Sequence, residues 1–382
     1  MKMIRSFLPV GQGAFYCERF KLNPDEKNFI NVVYDCGSSN GAKCVEKQIK
    51  ANFREGEIIH AVFISHLHND HINGLEFLLK YCNVKNIFFP LTEKADTEIS
   101  LVDSFVNGTK LSKFTKELIK SPRVAINEFY QDNYIALFSI KPCNYEISRE
   151  NINDNIAKSI SSGTDVSKYI FNLSSSIKES LIDWVFIPYN FELINRKQEL
   201  EELLAANLSS FGSLDQLQTL WEENKNDAQK KIKKAYENLK GSHNPNSMTL
   251  YSGSREMQGY QYFSNYCYCK YCYKKRRYKV GCLYTGDYDA SKDITFDELR
   301  NKYHLYWQNI GCVQIPHHGS IYSYNAGFSE LDSFFVISAG QNNKFCHPHS
   351  FVINDLLLNC HHPLVVTETP DSAVYFIVEV FR

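Results

Sequence analysis

Ala61-Val62-Phe63-Ile64-Ser65-His66-Leu67-His68-Asn69-Asp70-His71 decides how this chain is read. The apolar run belongs to Ile58–Ser65, which reads as a buried strand, and Asn73-Gly74 then opens a helix. His66, His68, Asp70 and His71 place four potential ligands within six residues of the strand's end. Side chains so placed can converge on one or two small cavities. Imidazole suits zinc, and carboxylate accepts zinc or manganese. The alternative is a cluster of surface histidines. It is the weaker reading, because a strand-terminal His-x-His-x-Asp-His is far more specific than a lone histidine.

Outward from this stretch, strands alternate with helices. Arg5–Val10, Asn31–Tyr34 and Asn86–Pro90 read as strands, and Ala42–Phe53 as a helix. Helices are expected near Glu98–Phe105 and Lys110–Lys120, with strands near Tyr134–Ile140 and Trp184–Pro188. Strands return at Ser247–Ser252, Val280–Thr285, Gly311–Pro316, Phe334–Ser338, Pro363–Thr367 and Val374–Val380. This is an α/β layer pattern. With 382 residues, 43% of them apolar, the chain can bury a large core. A formal net charge of −1 excludes a generally cationic nucleic-acid protein, so any such binding needs a local basic patch. No apolar run is long enough for a signal peptide or a membrane span. The expectation is a cytoplasmic protein, with its twelve cysteines reduced.

Further motifs occur in order. Asp35-Cys36-Gly37 ends an early strand, and His243-Asn244-Pro245-Asn246-Ser247 precedes a later one. Thr285-Gly286-Asp287 follows the strand Cys282-Leu283-Tyr284, and Pro316-His317-His318-Gly319-Ser320 follows the next. The set resembles the metallo-β-lactamase superfamily. Within it, Val10-Gly11-Gln12-Gly13 and Ser338-Ala339-Gly340 leading to His347-Pro348 resemble the hydrolase domain of competence DNA-uptake proteins and their stand-alone bacterial relatives. Two departures stand out. Ala14 replaces the Asp usual after Gly-Gln-Gly, and His68 restores a metal-rich motif where those relatives often carry Asp.

The resemblance implies an αββα four-layer sandwich with two divalent metal ions, zinc first and manganese as the alternative. It implies halves of roughly residues 1–190 and 243–382. His66, His68 and His243 would hold one ion, and Asp70, His71 and His317 the other, with Asp287 bridging. Such a pair activates a water as hydroxide. Asp70 would also orient that water. Asp35 would accept the spare N–H of a ligand histidine, and His347 would protonate a leaving group or contact a phosphate. Three alternatives stay open. His243 could cap a helix, His318 could ligate or touch substrate, and His347 could merely precede a proline turn. His60, His304, His349, His361 and His362 read as structural.

Two insertions are expected within one domain spanning 1–382. The first, 192–241, is helical, with Gln198–Asn207 followed by a helix from Ser213 to Leu239. Its narrow stripe of Leu214, Leu217, Trp221, Ile232, Ala235 and Leu239 suits a hairpin leaning on the main body, or a partner-binding arm. The second, 253–279, reads as a hairpin tip beside the metal motif. It interleaves tyrosines with Lys274, Lys275, Arg276 and Arg277, as a single-strand nucleic-acid contact would. Cys267, Cys269 and Cys272 offer three thiolates, one short of a structural zinc site. A solvated hairpin is the third reading.

The expected function is a phosphodiesterase or nuclease acting on nucleic acid or a nucleotide. The alternatives are a small ester, lactone or amide hydrolase, and a partner-binding subunit of a bacterial defence complex.

Overall fold

The computed structural model describes residues 1–22, 29–130, 134–144, 146, 158–171, 183–223, 227–239, 246–256, 259–263 and 279–380. The strands β1 (Lys2–Phe7), β2 (Gly13–Lys21), β3 (Ile30–Ser38), β4 (Ile58–Ile59), β5 (Ala61–Phe63), β6 (Asn83–Val84), β7 (Asn86–Pro90), β8 (Ala136–Ile140) and β9 (Ser159–Ile160) come first. They are followed by β10 (Trp184–Glu192), β11 (Asn246–Ser254), β12 (Gly259–Phe263), β13 (Gly281–Tyr284), β14 (Ile310–Gln314), β15 (Phe334–Ser338), β16 (Leu364–Val366) and β17 (Val374–Val380). One sheet has the order β12-β17-β1-β2-β3-β5-β7-β8-β9, and the other β10-β11-β13-β14-β15-β16. From β3 to β9, and from β13 to β16, neighbouring strands are parallel.

Alternation along each strand sorts side chains between layers. In β5, Ala61 and Phe63 enter the core between the sheets, while Val62 faces the helices. In β7, Phe88 points inward and Ile87 and Phe89 outward. The second sheet mirrors this, with Cys282, Tyr284, Cys312 and Val336 inward and Leu283, Val313, Phe335 and Ile337 outward. Tyr284 of one sheet stacks on Tyr34 of the other at 4.9 Å between ring centroids.

Helices cover both outer faces. On the first sheet lie α1 (Ala42–Asn52), a short turn α2 (Asn69–Ile72) and α3 (Leu75–Tyr81). They are followed by α4 (Lys94–Val106), α5 (Lys113–Lys120) and α6 (Pro122–Phe129), whereas α7 (Ser167–Phe171) sends Ile170 and Phe171 into the core between the sheets. After β10 come α8 (Ile194–Asn207), α9 (Leu217–Glu223) and α10 (Asp227–Asn238), and the second sheet carries α11 (Asp293–Lys302) and α12 (Ser350–Leu358). The result is the expected αββα sandwich. The apolar stripe of α8–α10 closes on Ile99 and Val102 of α4 in a fourth core, so it is covered by this chain.

Three expectations are corrected. The halves are not 1–190 and 243–382, because β10 pairs with β11 in the second sheet, while β17 and β12 return to the first. The helix from Ser213 instead opens with a 3-10 turn at Leu214–Gln216, and Ser213 makes no side-chain cap. The helix expected at Gly74 is α3, with Gly74 at its N-cap, and the short turn α2 precedes it from Asn69. Lastly, 253–279 is no plain hairpin tip beside that motif. β11 and β13 pair from Leu250–Tyr284 to Ser252–Cys282, so the chain leaves β11 at the end away from Asp287. It then places β12 along β17. Residues 264–278, with Cys267, Cys269, Cys272, Lys274, Lys275, Arg276 and Arg277, lie outside the described residues, as does His243.

Candidate metal centre

The parallel strands β3, β5, β13 and β14 all release their chains at one edge of the sandwich, where ligands of open α/β sheets collect. Asp35 lies in the last half of β3, His66–His71 follow β5, Asp287 follows β13, and His317 and His318 follow β14. Two glycines allow the loops to meet. A Cβ on Gly37 would stand 2.4 Å from the backbone of Asp70. Gly286 has φ +55°, and a Cβ there would stand 2.7 Å from that of Ser65. Gln314 Oε1 accepts the N–H groups of Thr285 and Gly286, both at 2.8 Å, and so fixes the turn that presents Asp287. Asp35, His317 and His318 have φ of 55°, 46° and 57°, a conformation that side chains rarely adopt and that packing here imposes.

The imidazoles are wired from behind. Ser65 donates from Oγ to Asp35 Oδ2 at 2.7 Å and from its backbone N to Oδ1 at 2.7 Å. With that proton spent, Ser65 Oγ accepts from His66 Nδ1 at 2.9 Å. Asp35 Oδ2 also accepts from His71 Nδ1 at 2.7 Å. His318 Nδ1 donates to the Ser338 carbonyl at 2.8 Å, and His317 Nδ1 lies 3.1 Å from Ser323 Oγ. Protons held on Nδ1 leave the Nε2 lone pairs of His66, His71 and His318 facing the centre.

Those Nε2 atoms face carboxylates at distances longer than the usual hydrogen bond. His66 stands 3.7 Å and His71 3.4 Å from Asp287, and His318 3.6 Å from Asp70. Ligands on one tetrahedral zinc lie about 3.3 Å apart, given metal bonds near 2 Å. The donors gather as His66, His71 and Asp287, and as Asp70, His71 and His318. His71, in both groups, has only Nε2 to give because Nδ1 belongs to Asp35.

Electrostatics agrees with a cation between these donors. Burial, then His71, pushes His66 well below its usual range, leaving it neutral and able to ligate. Burial opposes a charge on His71, yet Asp287 and Asp35 together hold it well above its usual range. That proton would occupy the place a divalent ion takes. Burial also opposes the charge on Asp287 and Asp70. Histidines outweigh it in both cases, and both carboxyls stay below their usual range. Burial pushes Asp35 upward against its bonds to His71 and Ser65.

The grouping differs from the one expected from sequence. His318 joins Asp70 and His71, while His317 stands 3.7 Å from Asp287. His66 meets His71, with ring centroids 4.0 Å apart, because α2 turns His71 back over it. His68 is 5.1 Å from the His66 ring and lines the cleft, but belongs to neither donor group. Among the histidines read as structural, His60, His304, His349 and His361 bond to nearby backbone. Ser65, Ser323, Ser338 and Gln314 escaped the sequence reading. For Ser65 the signal was its place directly before His66.

A cleft of about 990 Å³ opens over the centre. One wall is helical, with Asn107 just past α4 and Lys233 and Tyr236 on α10. The other carries Tyr322, Lys344, Phe345 and His347. His347 Nδ1 lies 3.4 Å from the Gln12 amide nitrogen, whose oxygen accepts from Gly340 N at 3.4 Å. This pattern places the His347 proton on Nε2. Burial, then His317 and His318, pushes its pKa down to about 3.

A model of the metallo-beta-lactamase superfamily matches residues 30–119, which carry Asp35 and the His66–His71 motif. The fold is that of this superfamily. Similar solved structures include the metallo-β-lactamase SMB-1 bound to 2-mercaptoethanesulfonate, at 11% identity and TM-score 0.29 over 83% of this chain and 82% of that one. Another is MEM-A1, a subclass B3 metallo-β-lactamase from a soil metagenome library, at 9% identity and TM-score 0.29 over 85% and 82%. A long form RNase Z from yeast is 8% identical, with TM-score 0.32, over 90% of this chain and 37% of that one. A search of curated proteins gives no significant match. Among the described residues, no helix is long and apolar enough to cross a membrane.

Proposed function

We propose that this chain is a metal-dependent hydrolase whose substrates are phosphodiesters, as a phosphodiesterase or nuclease acting on nucleotides or nucleic acid. The reading rests on the two adjoining donor groups, whose Nε2 atoms are aimed inward by oxygens behind the rings. His66 and Asp287 would hold one divalent ion and Asp70 and His318 the other, and His71, with its single free Nε2, would ligate one of the two. His68 and His243 are proposed as further ligands of the first ion, and His317 beside Asp287. Bound there, two divalent ions would supply Lewis acidity and an activated water.

The chain's own groups do the rest. Asp35 and Ser65 hold the tautomers of His71 and His66. Asp70, with Ser39 Oγ at 3.3 Å, can orient the attacking water. His347, with its proton on Nε2, can donate to a phosphate oxygen, which favours contact over protonation of a leaving group. Lys344 and Lys233, the latter paired with Glu237 at 4.0 Å, offer cations in a cleft also lined by Asp103 and by Asn40, Asn69, Asn107, Asn342 and Asn343. That polar, amide-rich lining suits an anionic ester better than an apolar one. Lys274, Lys275, Arg276 and Arg277 are proposed to extend phosphate contacts on longer substrates, with affinity falling steeply as salt rises.

The test is metal content paired with turnover of single-stranded DNA, RNA, cyclic dinucleotides and a lactone. Two divalent ions per chain, with cleavage of at least one phosphodiester, are expected. A lactone opened while every diester stays intact would replace this reading with small-molecule hydrolysis, which a cleft of this volume would also accommodate.

A further inference from the structure

Phe345 is 54% exposed and sits on a backbone turn held by side-chain hydrogen bonds. Asn343 Oδ1 accepts the backbone N–H groups of Phe345 at 3.2 Å and His347 at 2.8 Å. The same side chain donates from Nδ2 to the carbonyls of Gly340 and His347, both at 2.6 Å. One asparagine thus pins a turn that presents an apolar ring to water at the mouth of the metal cleft. The ring lies nearly parallel to that of His347, with centroids 5.7 Å apart and planes at 25°. His347 in turn stands 5.5 Å from His317 and 6.4 Å from His318. Successive ring contacts therefore link the histidines beside the metal centre to His347 and His347 to Phe345. Lys344 Nζ lies over the Phe345 ring, 5.0 Å from its centroid, and 3.5 Å from Asn107 Oδ1 just past α4, so a flat ring stacking on that face displaces the ammonium to the ring's side. Tyr322, 50% exposed, lines the same cleft.

An apolar ring left in water and pinned beside a polar reaction centre has a use if a flat ring covers it. We infer that Phe345 is a stacking platform for an aromatic ring of the substrate, with Lys344 meeting a negative group beside that ring. The inference deepens the phosphodiesterase reading and rests on it. The ring is a nucleobase, and the substrate is a nucleotide diester with an unpaired base. A base has a π-face whatever its identity, so this subsite is tolerant of sequence. Tyr322 supplies a second aromatic edge to the same space. A paired base inside a duplex offers no free face, so duplexes bind poorly here.

The experiment uses the full-length, metal-loaded chain and the fluorescent probe 1,N6-ethenoadenosine 5′-monophosphate, whose emission is quenched by stacking. Wild type should bind with quenching. Phe345→Ala should bind roughly tenfold or more weakly and without quenching, and Phe345→Trp should restore both. Ribose 5-phosphate, which has no ring to stack, should compete equally against both proteins. In turnover, Phe345→Ala should raise KM for thymidine 5′-(p-nitrophenyl phosphate) more than for methyl p-nitrophenyl phosphate, which shares the nitrophenyl ring but lacks the base. Equal affinity and quenching in wild type and Phe345→Ala, or no probe binding by wild type, would overturn the inference. Quenched binding with neither diester hydrolysed would remove the phosphodiesterase reading and keep Phe345 as a ring-binding site.

Discussion

Two buried clusters of ionisable side chains, alike in their oxygen donors, are neutralised in opposite ways. At the metal centre, Asp70 and Asp287 face imidazoles whose Nε2 atoms stand 3.4 Å or more away. Near the start of α4, Glu93, Asp96 and Glu192 gather just as tightly, but Lys197 of α8 is inserted among them. Its Nζ lies 2.6 Å from Asp96 and 3.0 Å from Glu93, and pairs with Glu192. The first cluster is open to a cation from solution because its imidazoles can exchange a proton for a metal. The second carries its cation on the chain, and that cation fastens the helical wall of the cleft to the body. Oxygens that merely lie close together are therefore a poor signature of a metal site. What separates the two is whether the answering charge can leave.

The largest expected effect comes from opening the first cluster. Asp287→Asn keeps the shape but removes the charge that His66, His71 and His317 face. Bound metal should fall by at least one equivalent, and hydrolysis should drop by about three orders of magnitude or more, with the circular dichroism spectrum unchanged. Full activity in this variant would break the assignment of the first cluster as the working one.

Breaking the second cluster should leave catalysis standing and cost stability. Lys197→Met strands three buried carboxylates without their cation, a defect on the order of 3–5 kcal/mol in denaturant unfolding. The loss should shrink at low pH, where the carboxylates take up protons. If Lys197→Met matched wild type in stability at neutral pH, the lysine would not be the counter-charge it resembles.

The two clusters also differ in how far sequence could foretell them. His66, His68, Asp70 and His71 sit within six residues after an apolar strand, so local spacing was enough to single them out. Asp35, Asp287, His317 and His318 became candidates through ordered motifs, each at a strand end. The αββα layers followed from strand–helix alternation. Spacing could not say that α2 turns His71 over His66, or that His318 joins Asp70, since both depend on loop conformations with positive φ. The exchange of β10 and β17 between sheets was hidden because pairing partners far apart in sequence leave no local periodicity. Lys197 with its three carboxylates was invisible for the same reason. Four charges spread over a hundred residues look like ordinary surface until the fold brings them together.

A subtler contrast lies in the oxygens behind the imidazoles. Ser65→Ala removes the acceptor of the His66 Nδ1 proton and one donor to Asp35. Metal affinity, measured by competition with a chelating dye, should fall roughly 10- to 100-fold, and Ser65→Thr should restore it. Unchanged affinity in Ser65→Ala would show that packing alone orients His66.

The smallest effect concerns pH and belongs to the second cluster. Burial, then the neighbouring Asp96, raises the Glu192 pKa from about 4.5 to about 8, with Lys197 opposing. A carboxyl raised on folding binds its proton more tightly in the native state than in the unfolded one. Between pH 4.5 and 8 the native state therefore holds more protons, and stability falls as pH rises through that window. Below the window both states are protonated and this contribution is fully present. Glu192→Gln cannot titrate, so it should lack that slope. Unfolding in urea at pH 5 and pH 8.5 should show wild type losing more stability than Glu192→Gln, by on the order of 1–3 kcal/mol. Taking the difference between the two proteins cancels the titration of the metal-centre histidines, which both share. Equal losses would mean that Lys197 keeps Glu192 ionised throughout, so that the second cluster is a plain ion-pair network without a proton of its own.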